Sequence, residues 1–241
     1  TPLNVGRYAI GQSFASPWGE HVVYDKPTTW HCLGQTGQLG AWMSDLPIDQ
    51  ISNRAECASM TSGTVLIGGL GLGVITSIIA RRPGVTRVIV VELTSEVIAL
   101  VGEHILKDDP AALAKVSVVQ GDILEFVRST KEKFDHAYYD VWLQPTKDVL
   151  FDLVAPLLEA SQGVVAGRPA FWAEPVMRFE LYRELLQRVE WAKASDGQSQ
   201  WLKWLLCQTL ADKEAAKTWN WSVPFFRRGR LEEADIRAYI G

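Results

Sequence analysis

Short apolar runs alternate with amphipathic stretches through the middle of the chain. The run at residues 65–67 contains no polar residue, which is typical of a strand buried on both faces of a parallel sheet. A helical stretch at 74–80 and a second apolar run ending at Glu92 follow it, and the runs at 116–123 and 134–142 repeat the pattern. Strands that alternate with helices predict a parallel α/β sheet.

A glycine-rich turn, Gly-Gly-Leu-Gly-Leu-Gly at residues 68–73, follows the first of these strands. Gly69, Gly71 and Gly73 should let the backbone turn tightly and approach a ligand closely, because a Cβ would block both. Glu92 ends the next strand, where a carboxylate can accept hydrogen bonds from two ribose hydroxyls. This layout predicts a nucleoside site; the alternative is an ordinary tight turn of an α/β protein.

The spacing of the glycines excludes two nucleotide classes. A dinucleotide fingerprint, Gly-x-Gly-x-x-Gly, would need a glycine at Val74 or at Thr76. No Gly-Lys-Ser/Thr follows the turn, so the phosphate loop of triphosphate-binding proteins is absent from it. A ribose carboxylate without a pyrophosphate signature favours a nucleoside ligand such as S-adenosylmethionine.

Two later strands also end in acids. Asp122 follows the strand that begins at Val116, and Asp140 follows the strand that begins near Phe134. The carboxyl ends of parallel strands meet at one edge of the sheet, where open α/β sheets bind their ligands. We therefore expect Glu92, Asp122 and Asp140 to converge on one site.

Residues 65–141 resemble the core of class I S-adenosylmethionine-dependent methyltransferases, and within that superfamily they are most similar to the spermidine synthase-like branch. The segments that carry the resemblance are GGLGLG at 68–73, VELTSEVI at 91–98, GDILEF at 121–126 and FDHAYYD at 134–140. The resemblance implies a Rossmann-like domain that binds S-adenosylmethionine as its cofactor.

The resemblance implies a set of cofactor-binding residues, in chain order Gly69, Gly71, Gly73, Glu92, Leu93, Asp122, Ile123 and Asp140. The glycines would lie beside the amino-acid part of the cofactor, and Glu92 would bind the ribose. Asp122, with the backbone of Ile123, would meet the adenine edge. Asp140 would lie near the sulfonium and serve as the catalytic residue.

Departures from the branch bear on the reaction. Gly19 stands where the branch has a substrate-contacting glutamine, and Arg54-Ala-Glu56 stands where it has Tyr-His-Glu. After Asp140 the chain reads Val-Trp-Leu-Gln-Pro, so the second acid of the branch's polyamine site is not expected. These departures disfavour aminopropyl transfer and favour methyl transfer, which mainly requires the acceptor to be positioned against the methyl group.

The predicted function is that of an S-adenosylmethionine-dependent methyltransferase acting on a small-molecule acceptor. Three alternatives stay open: a spermidine synthase-like aminopropyltransferase, a lyase that cleaves S-adenosylmethionine, and a non-catalytic binding protein on the same fold. Trp142 and Trp172 are further candidates for stacking at the ligand edge, and Asp45 is a candidate for the methionine end of the cofactor, with an N-cap role as its alternative.

The predicted organisation has three parts: an N-terminal β extension with a linking helix at 1–60, the Rossmann-like domain at 61–210, and a tail with one helix at 211–241. The linking helix is expected over 49–60 and the tail helix over 231–240. Further helices are expected at 96–107, 124–129, 147–160 and 175–189, with a strand at 163–167. Segments 189–194 and 201–209 suit a closing antiparallel hairpin. The expected fold is α/β: a doubly wound, mainly parallel Rossmann-like sheet with a small N-terminal β element and that hairpin.

Composition and charge limit the classes of partner that the sequence indicates. The 24 basic and 28 acidic residues give a net charge of −4, and basic residues cluster only at 227–230, so a nucleic-acid substrate is not indicated. No 18-residue apolar run or metal-ligand spacing is visible, and the three cysteines, Cys32, Cys57 and Cys207, are expected to be reduced packing residues. We expect a cytoplasmic protein without a metal or membrane partner; a homodimer is one further option.

Overall fold

The computed structural model describes residues 3–10, 13–15, 21–23, 28–35, 43–45, 47–102, 104–178 and 181. The chain divides into two compact units. The first is formed by Thr1–Leu143 with Gly163–Ala170, and the second by Gln144–Gln162 with Phe171–Gly241. All the residues predicted for the cofactor site belong to the first unit.

Five short strands and a helix precede the main sheet. They are β1 Leu3–Ile10, β2 Ser13–Ala15, β3 His21–Val23, β4 Thr28–Gln35, β5 Met43–Ser44 and α1 Pro47–Glu56. Strands β1, β4 and β5 form one antiparallel sheet, and β2 pairs with β3 in another. The predicted N-terminal β element is therefore confirmed.

The linking helix, predicted over 49–60, ends earlier, at Glu56. Residues 57–59 form a turn, and the guanidinium of Arg82 donates to the carbonyl oxygens of Cys57 and Met60. Cys57 and Met60 remain buried at 0% and 2% exposure. The apolar pattern therefore continues beyond the helix because Cys57, in the turn, and Met60, directly after it, are both buried.

The main sheet consists of β6 Ser62–Gly68, β7 Gly84–Glu92, β8 Val116–Gln120, β9 His136–Tyr139 and β10 Ala170–Phe171. Its strand order is β10-β9-β6-β7-β8, and β6 runs parallel to both β7 and β9, as β7 does to β8. Val65, Leu66 and Ile67 are at most 1% exposed, as expected for a central strand with both faces covered. The predicted Rossmann-like parallel sheet is confirmed.

Short helices connect these strands: α2 Val74–Ala80, α3 Ser95–Val101, α4 Pro110–Leu113 and α5 Ile123–Ser129. The prediction of one helix over 96–107 is wrong, because α3 ends at Val101. Ile105 and Leu106 are buried at 5% and 3% exposure, although Leu106 has a left-handed φ of 56°. Because these two apolar residues are buried in a turn, the sequence pattern typical of a helix continues past the end of α3.

The second unit contains α6 Lys147–Val149, a π-helical stretch Leu150–Val154 and α7 Ala155–Ala160. Together they confirm the helical region predicted at 147–160. Pro156 has no N–H to donate to the carbonyl four residues earlier, which lies in the π-helical stretch. The missing donor accounts for an irregular hydrogen-bond ladder at this point.

The strand predicted at 163–167 is not present. Val165 forms an isolated parallel bridge with Phe134, and regular pairing resumes only at β10. Gly163 has a positive φ of 72°, and Pro169 lacks the N–H that a ladder needs. Apolar content alone therefore overestimated the length of this segment's pairing.

Several predictions lie outside the described residues: the hairpin at 189–194 and 201–209, the helix at 231–240, the basic cluster at 227–230, and Cys207. Residues 174–178 are helical, at the start of the helix predicted over 175–189. Cys32 and Cys57 are free and buried, as expected. Among the described residues, no helix combines the length and apolar character needed to cross a membrane.

Candidate functional site

The strand order brings the predicted residues to one edge of the sheet in a defined sequence. Across β9, β6, β7 and β8, their carboxyl ends carry Asp140, the glycine turn (residues 68–73), Glu92 and Asp122. The strand register aligns the carboxyl ends of β9, β6 and β7, since Gly68 pairs with both Tyr139 and Val91. Neighbouring strands lie about 4.8 Å apart, so the row spans about 14 Å.

The topology also marks this edge as a ligand site. From β6 the chain proceeds to β7 and β8 on one side, and then crosses to β9 on the other. Open α/β sheets bind ligands where the strand order reverses in this way, beyond the carboxyl ends of the strands. The glycine turn after β6 and Asp140 after β9 flank that point.

The glycine turn requires residues without a Cβ. Gly69, Gly71 and Gly73 have positive φ values of 92°, 51° and 73°, a region that favours glycine. A Cβ on Gly69 would overlap the carbonyl oxygen of Asp140. The amide of Asp140 in turn donates to Gly68 O at 2.9 Å. The turn is therefore held directly against the start of the loop after β9.

Glu92 is a buried acid, 9% exposed, and both of its carboxylate oxygens accept backbone hydrogen bonds. The amide of Leu70 donates to Oε2 and the amide of Thr94 donates to Oε1, each at 2.8 Å. One bond reaches the glycine turn and the other the start of α3. The carboxylate is thus fixed in orientation while each oxygen keeps further acceptor capacity.

Asp122 and Ile123 begin α5 at the far end of the row. The Oδ1 atom of Asp122 accepts from the amide of Glu125 at 3.0 Å, so this residue is the N-cap of the helix. Ile123 is buried at 6% exposure; its Cγ1 would lie 2.8 Å from a Cβ on Gly68. Asp122 is exposed, and its cap bond uses Oδ1 and not Oδ2; the strand that precedes it, β8, lies next to the strand of Glu92.

Large apolar side chains are exposed along the same edge. Leu93, directly after β7, is 65% exposed, and Val141 and Leu143, after β9, are 37% and 59% exposed. Exposed apolar side chains grouped at the carboxyl edge of a parallel sheet are typical of ligand sites. Leu93 directly follows Glu92 and leaves apolar surface exposed beside it.

Asp140 has an unusual titration. Burial, reinforced by the negative charge of Glu56, raises the pKa of Asp140 from 3.8 to about 7. The carboxyl group therefore exchanges its proton near neutral pH, as a general acid or base requires.

Glu56, at the end of α1, is a site residue that the sequence interpretation missed. The hydroxyl of Tyr138 donates to Glu56 Oε2 at 2.6 Å. Burial, with the charges of Asp140 and Glu56, raises the pKa of that hydroxyl, so Tyr138 stays a donor. The loop after β9 carries no second acid directly after Asp140, and the additional negative charge near Asp140 comes instead from Glu56 of α1. Its position in Arg54-Ala-Glu56 was the available signal.

The segment around Asp45 also differs from expectation. Asp45 does not turn toward the glycine turn: its Oδ2 lies 2.8 Å from His31 Nδ1. Met43, two residues earlier, contacts the turn instead, with its Sδ 3.0 Å from the amide nitrogen of Leu72. Trp142, proposed as a stacking residue, is buried at 9% exposure, and Trp172 belongs to the other compact unit.

No family model matches this sequence, and no curated protein matches it. Similar solved structures include a dimethyladenosine transferase from Plasmodium falciparum, which is 21% identical. The match covers 45% of this chain and 37% of that chain, with a TM-score of 0.34. The PRMT1 enzyme–prozyme heterotetrameric complex of Trypanosoma brucei with AdoHcy is 18% identical, with coverages of 53% and 38% and a TM-score of 0.39. A conserved hypothetical protein from Streptococcus pyogenes is 16% identical, with coverages of 46% and 67% and a TM-score of 0.38.

The chain thus spans well under half the length of the first two of these structures.

Proposed function

We propose that the chain is an S-adenosylmethionine-dependent methyltransferase that acts on a small-molecule acceptor at the carboxyl edge of its parallel sheet. The observation that carries the proposal is the row formed by Asp140, the glycine turn, Glu92 and Asp122. Its length of about 14 Å and its mixture of acceptors suit an elongated nucleoside with an amino-acid tail. A dinucleotide or triphosphate would need phosphate-binding features that the turn lacks.

The residues at the nucleoside end fit an adenosine. Glu92 is held by the amides of Leu70 and Thr94, so its remaining acceptor positions are oriented before a ribose arrives. The Oδ2 atom of Asp122 can accept from an exocyclic amino group, while Oδ1 keeps its cap bond to Glu125. Leu93 supplies exposed apolar surface for the base. Acceptors fixed in advance lower the cost of ordering on binding.

The residue at the reacting end fits proton transfer. S-adenosylmethionine would supply an electrophilic methyl group on a sulfonium; breaking of the methyl–sulfur bond would return its electron pair to sulfur and leave S-adenosylhomocysteine, a neutral thioether. Asp140, with a pKa of about 7, takes the proton that the acceptor's nucleophilic atom loses as its bond to the methyl group forms. Burial of Asp140 favours this uptake, because desolvation disfavours the charged carboxylate relative to the neutral carboxyl group.

Calorimetric titration tests the cofactor assignment. We expect S-adenosylmethionine, S-adenosylhomocysteine and methylthioadenosine to bind, and NAD and ATP not to bind. Asp122→Ala should weaken binding of S-adenosylhomocysteine about tenfold through one lost hydrogen bond. Failure of all three adenosyl ligands to bind rejects the proposal.

Asp109→Ala is the matched control. Asp109 caps α4 through the same kind of bond, with Oδ1 accepting from the amide of Ala112 at 3.0 Å, but it precedes β8 and so belongs to the opposite edge of the sheet. Both variants should lose about 1 kcal/mol of stability with the cap. An equal loss of affinity in the two variants would contradict the placement of adenine at Asp122.

A second candidate, aminopropyl transfer, is favoured by the carboxylate pair of Glu56 and Asp140. Two neighbouring acids suit a cationic amine acceptor better than the lone acid expected from the sequence. Incubation with putrescine and either S-adenosylmethionine or its decarboxylated form separates the two reactions by product mass. Spermidine formed only from the decarboxylated donor would replace the methyltransferase proposal.

A further inference from the structure

The space beside Gly71 is filled by a side chain of the protein itself. The amide of Leu72 donates to Met43 Sδ at 3.0 Å. A Cβ on Gly71 would collide with that sulfur and would lie 2.5 Å from Met43 Cε. Gly71 therefore makes room for a methionine thioether from β5, at the turn where the proposed cofactor would place its amino-acid tail.

A thioether is a poor partner for this amide. Neutral sulfur is a weak hydrogen-bond acceptor, whereas a carboxylate forms a shorter, charge-assisted bond to a backbone N–H. Any bound ligand with a carboxylate next to the turn would thus be a stronger partner for Leu72 than Met43 is. Such a ligand can therefore replace Met43 Sδ as the acceptor for the amide of Leu72.

The backbone that carries Met43 is well fixed, so replacement involves its side chain alone. Met43 pairs with Leu33 in the β4–β5 ladder. The next two residues are held as well: Ser44 Oγ donates to Asp49, and the amide of Asp45 donates to His31 O at 3.1 Å. The side chain of Met43 is partly exposed, and methionine has three rotatable bonds that let it occupy another gap.

We propose that Met43 is a specificity-determining residue of the cofactor site, which competes with the carboxylate of an adenosyl ligand's amino-acid tail for the amide of Leu72. This inference rests on the proposed function. Met43 lowers the affinity for S-adenosylmethionine and S-adenosylhomocysteine, which carry that tail. It leaves the affinity for methylthioadenosine, which lacks the tail, unaffected. The site thereby discriminates among adenosyl thioethers by their tails.

Calorimetry of Met43→Ala tests the competition. We expect affinity for S-adenosylhomocysteine to rise about fivefold, the equivalent of about one net hydrogen bond, and affinity for methylthioadenosine to change less than about twofold. Ser44→Ala is the control, because the Ser44 hydroxyl contacts Asp49 and not the turn, and the β4–β5 pairing still holds the backbone of Met43 without it; it should leave both affinities unchanged. Equal changes for the two ligands, or weaker S-adenosylhomocysteine binding, would overturn the inference while leaving the proposed function intact.

A second measurement uses the wild-type protein, so it does not depend on the variant's folding. The chain has three methionines, and Met60 and Met177 are buried at 2% and 0% exposure. With 13C-labelled methionine methyl groups, a soluble paramagnetic agent should broaden the signal of Met43 most and so identify it. S-adenosylhomocysteine should shift that signal, and methylthioadenosine should not. A stationary Met43 signal at saturating S-adenosylhomocysteine refutes the competition; absence of binding by both ligands refutes the proposed function as well.

Discussion

Glu92 and Asp140 lie on opposite sides of β6 at the same edge of the sheet, yet their carboxyl groups have different surroundings. Glu92 receives two backbone hydrogen bonds, which compensate the burial of its charge. Asp140 instead has Glu56 nearby, and burial and like charge raise its pKa to about 7. A compensated charge suits binding, and an uncompensated one suits proton transfer. The contrast divides the site into an anchored half and a reactive half.

Removing the anchored carboxylate should have the largest effect on stability. Glu92→Ala leaves the amides of Leu70 and Thr94 without their acceptor. Two lost charge-assisted bonds should lower the free energy of unfolding by about 5 kcal/mol, measured by urea denaturation. Glu132→Ala, which removes an exposed partner of Arg87, should change it by less than about 1 kcal/mol. Similar losses in both variants would show that Glu92 is not an anchor.

Neutralising the reactive carboxyl should stabilise the protein, but only at high pH. The folded-state pKa of about 7 exceeds the ordinary 3.8, so the folded protein retains a proton that the unfolded chain releases. Stability from Asp140 is therefore present below about pH 4 and lost as pH rises to about 7.

Asp140→Asn keeps the neutral form at every pH. The variant should exceed the wild type in unfolding free energy by up to about 4 kcal/mol at pH 8, since about three pKa units correspond to about 1.36 kcal/mol each. The difference should vanish near pH 4. Urea denaturation at the two pH values checks this, with the exposed Asp108→Asn as control. A variant less stable than the wild type at pH 8 contradicts a destabilised Asp140.

The two halves also differ in how far the sequence predicts them. The anchored half is local: Gly69, Glu92 and Asp122 each follow an apolar run, and parallel pairing alone brings such strand ends to one edge. Roles within a cofactor complex remain predictions for all of them. The reactive half depends on distant contacts, since Glu56 reaches Tyr138 across 82 positions. Nothing in the local pattern of α1 indicates which strand its end will meet.

Met43 is a second example of a contact that the local sequence pattern does not predict. The glycines were expected to admit a ligand, and their positive φ values agree with a tight turn. Gly71 lies against Met43 because β5 pairs with β4. A strand of only two residues has no sequence pattern from which that pairing could be predicted. Sequence patterns predict where a backbone turns more readily than which side chain fills the space created.

Removing the negative charge of Glu56 should bring the pKa of Asp140 closer to its ordinary value. Glu56→Gln can still accept from the hydroxyl of Tyr138, but it no longer repels ionised Asp140. Burial is the larger cause of the shift, so we expect the pKa of Asp140 to fall by about one unit or less and to stay above 3.8. Carboxyl 13C NMR titration measures it. An unchanged or higher pKa would show that Glu56 does not act on Asp140.

The smallest expected effect concerns a hydroxyl in the anchored half. Thr76, in α2 just after the glycine turn, is 1% exposed, and its Oγ1 has no hydrogen-bond partner among the described residues. A buried hydroxyl without a partner costs stability, and valine has the same shape and a similar helix propensity. Thr76→Val should therefore raise the unfolding free energy by about 1 kcal/mol in urea denaturation, equally at pH 5 and pH 8, because no titrating group is involved. A loss of stability would show that the hydroxyl is satisfied and that this part of the anchored half depends on it.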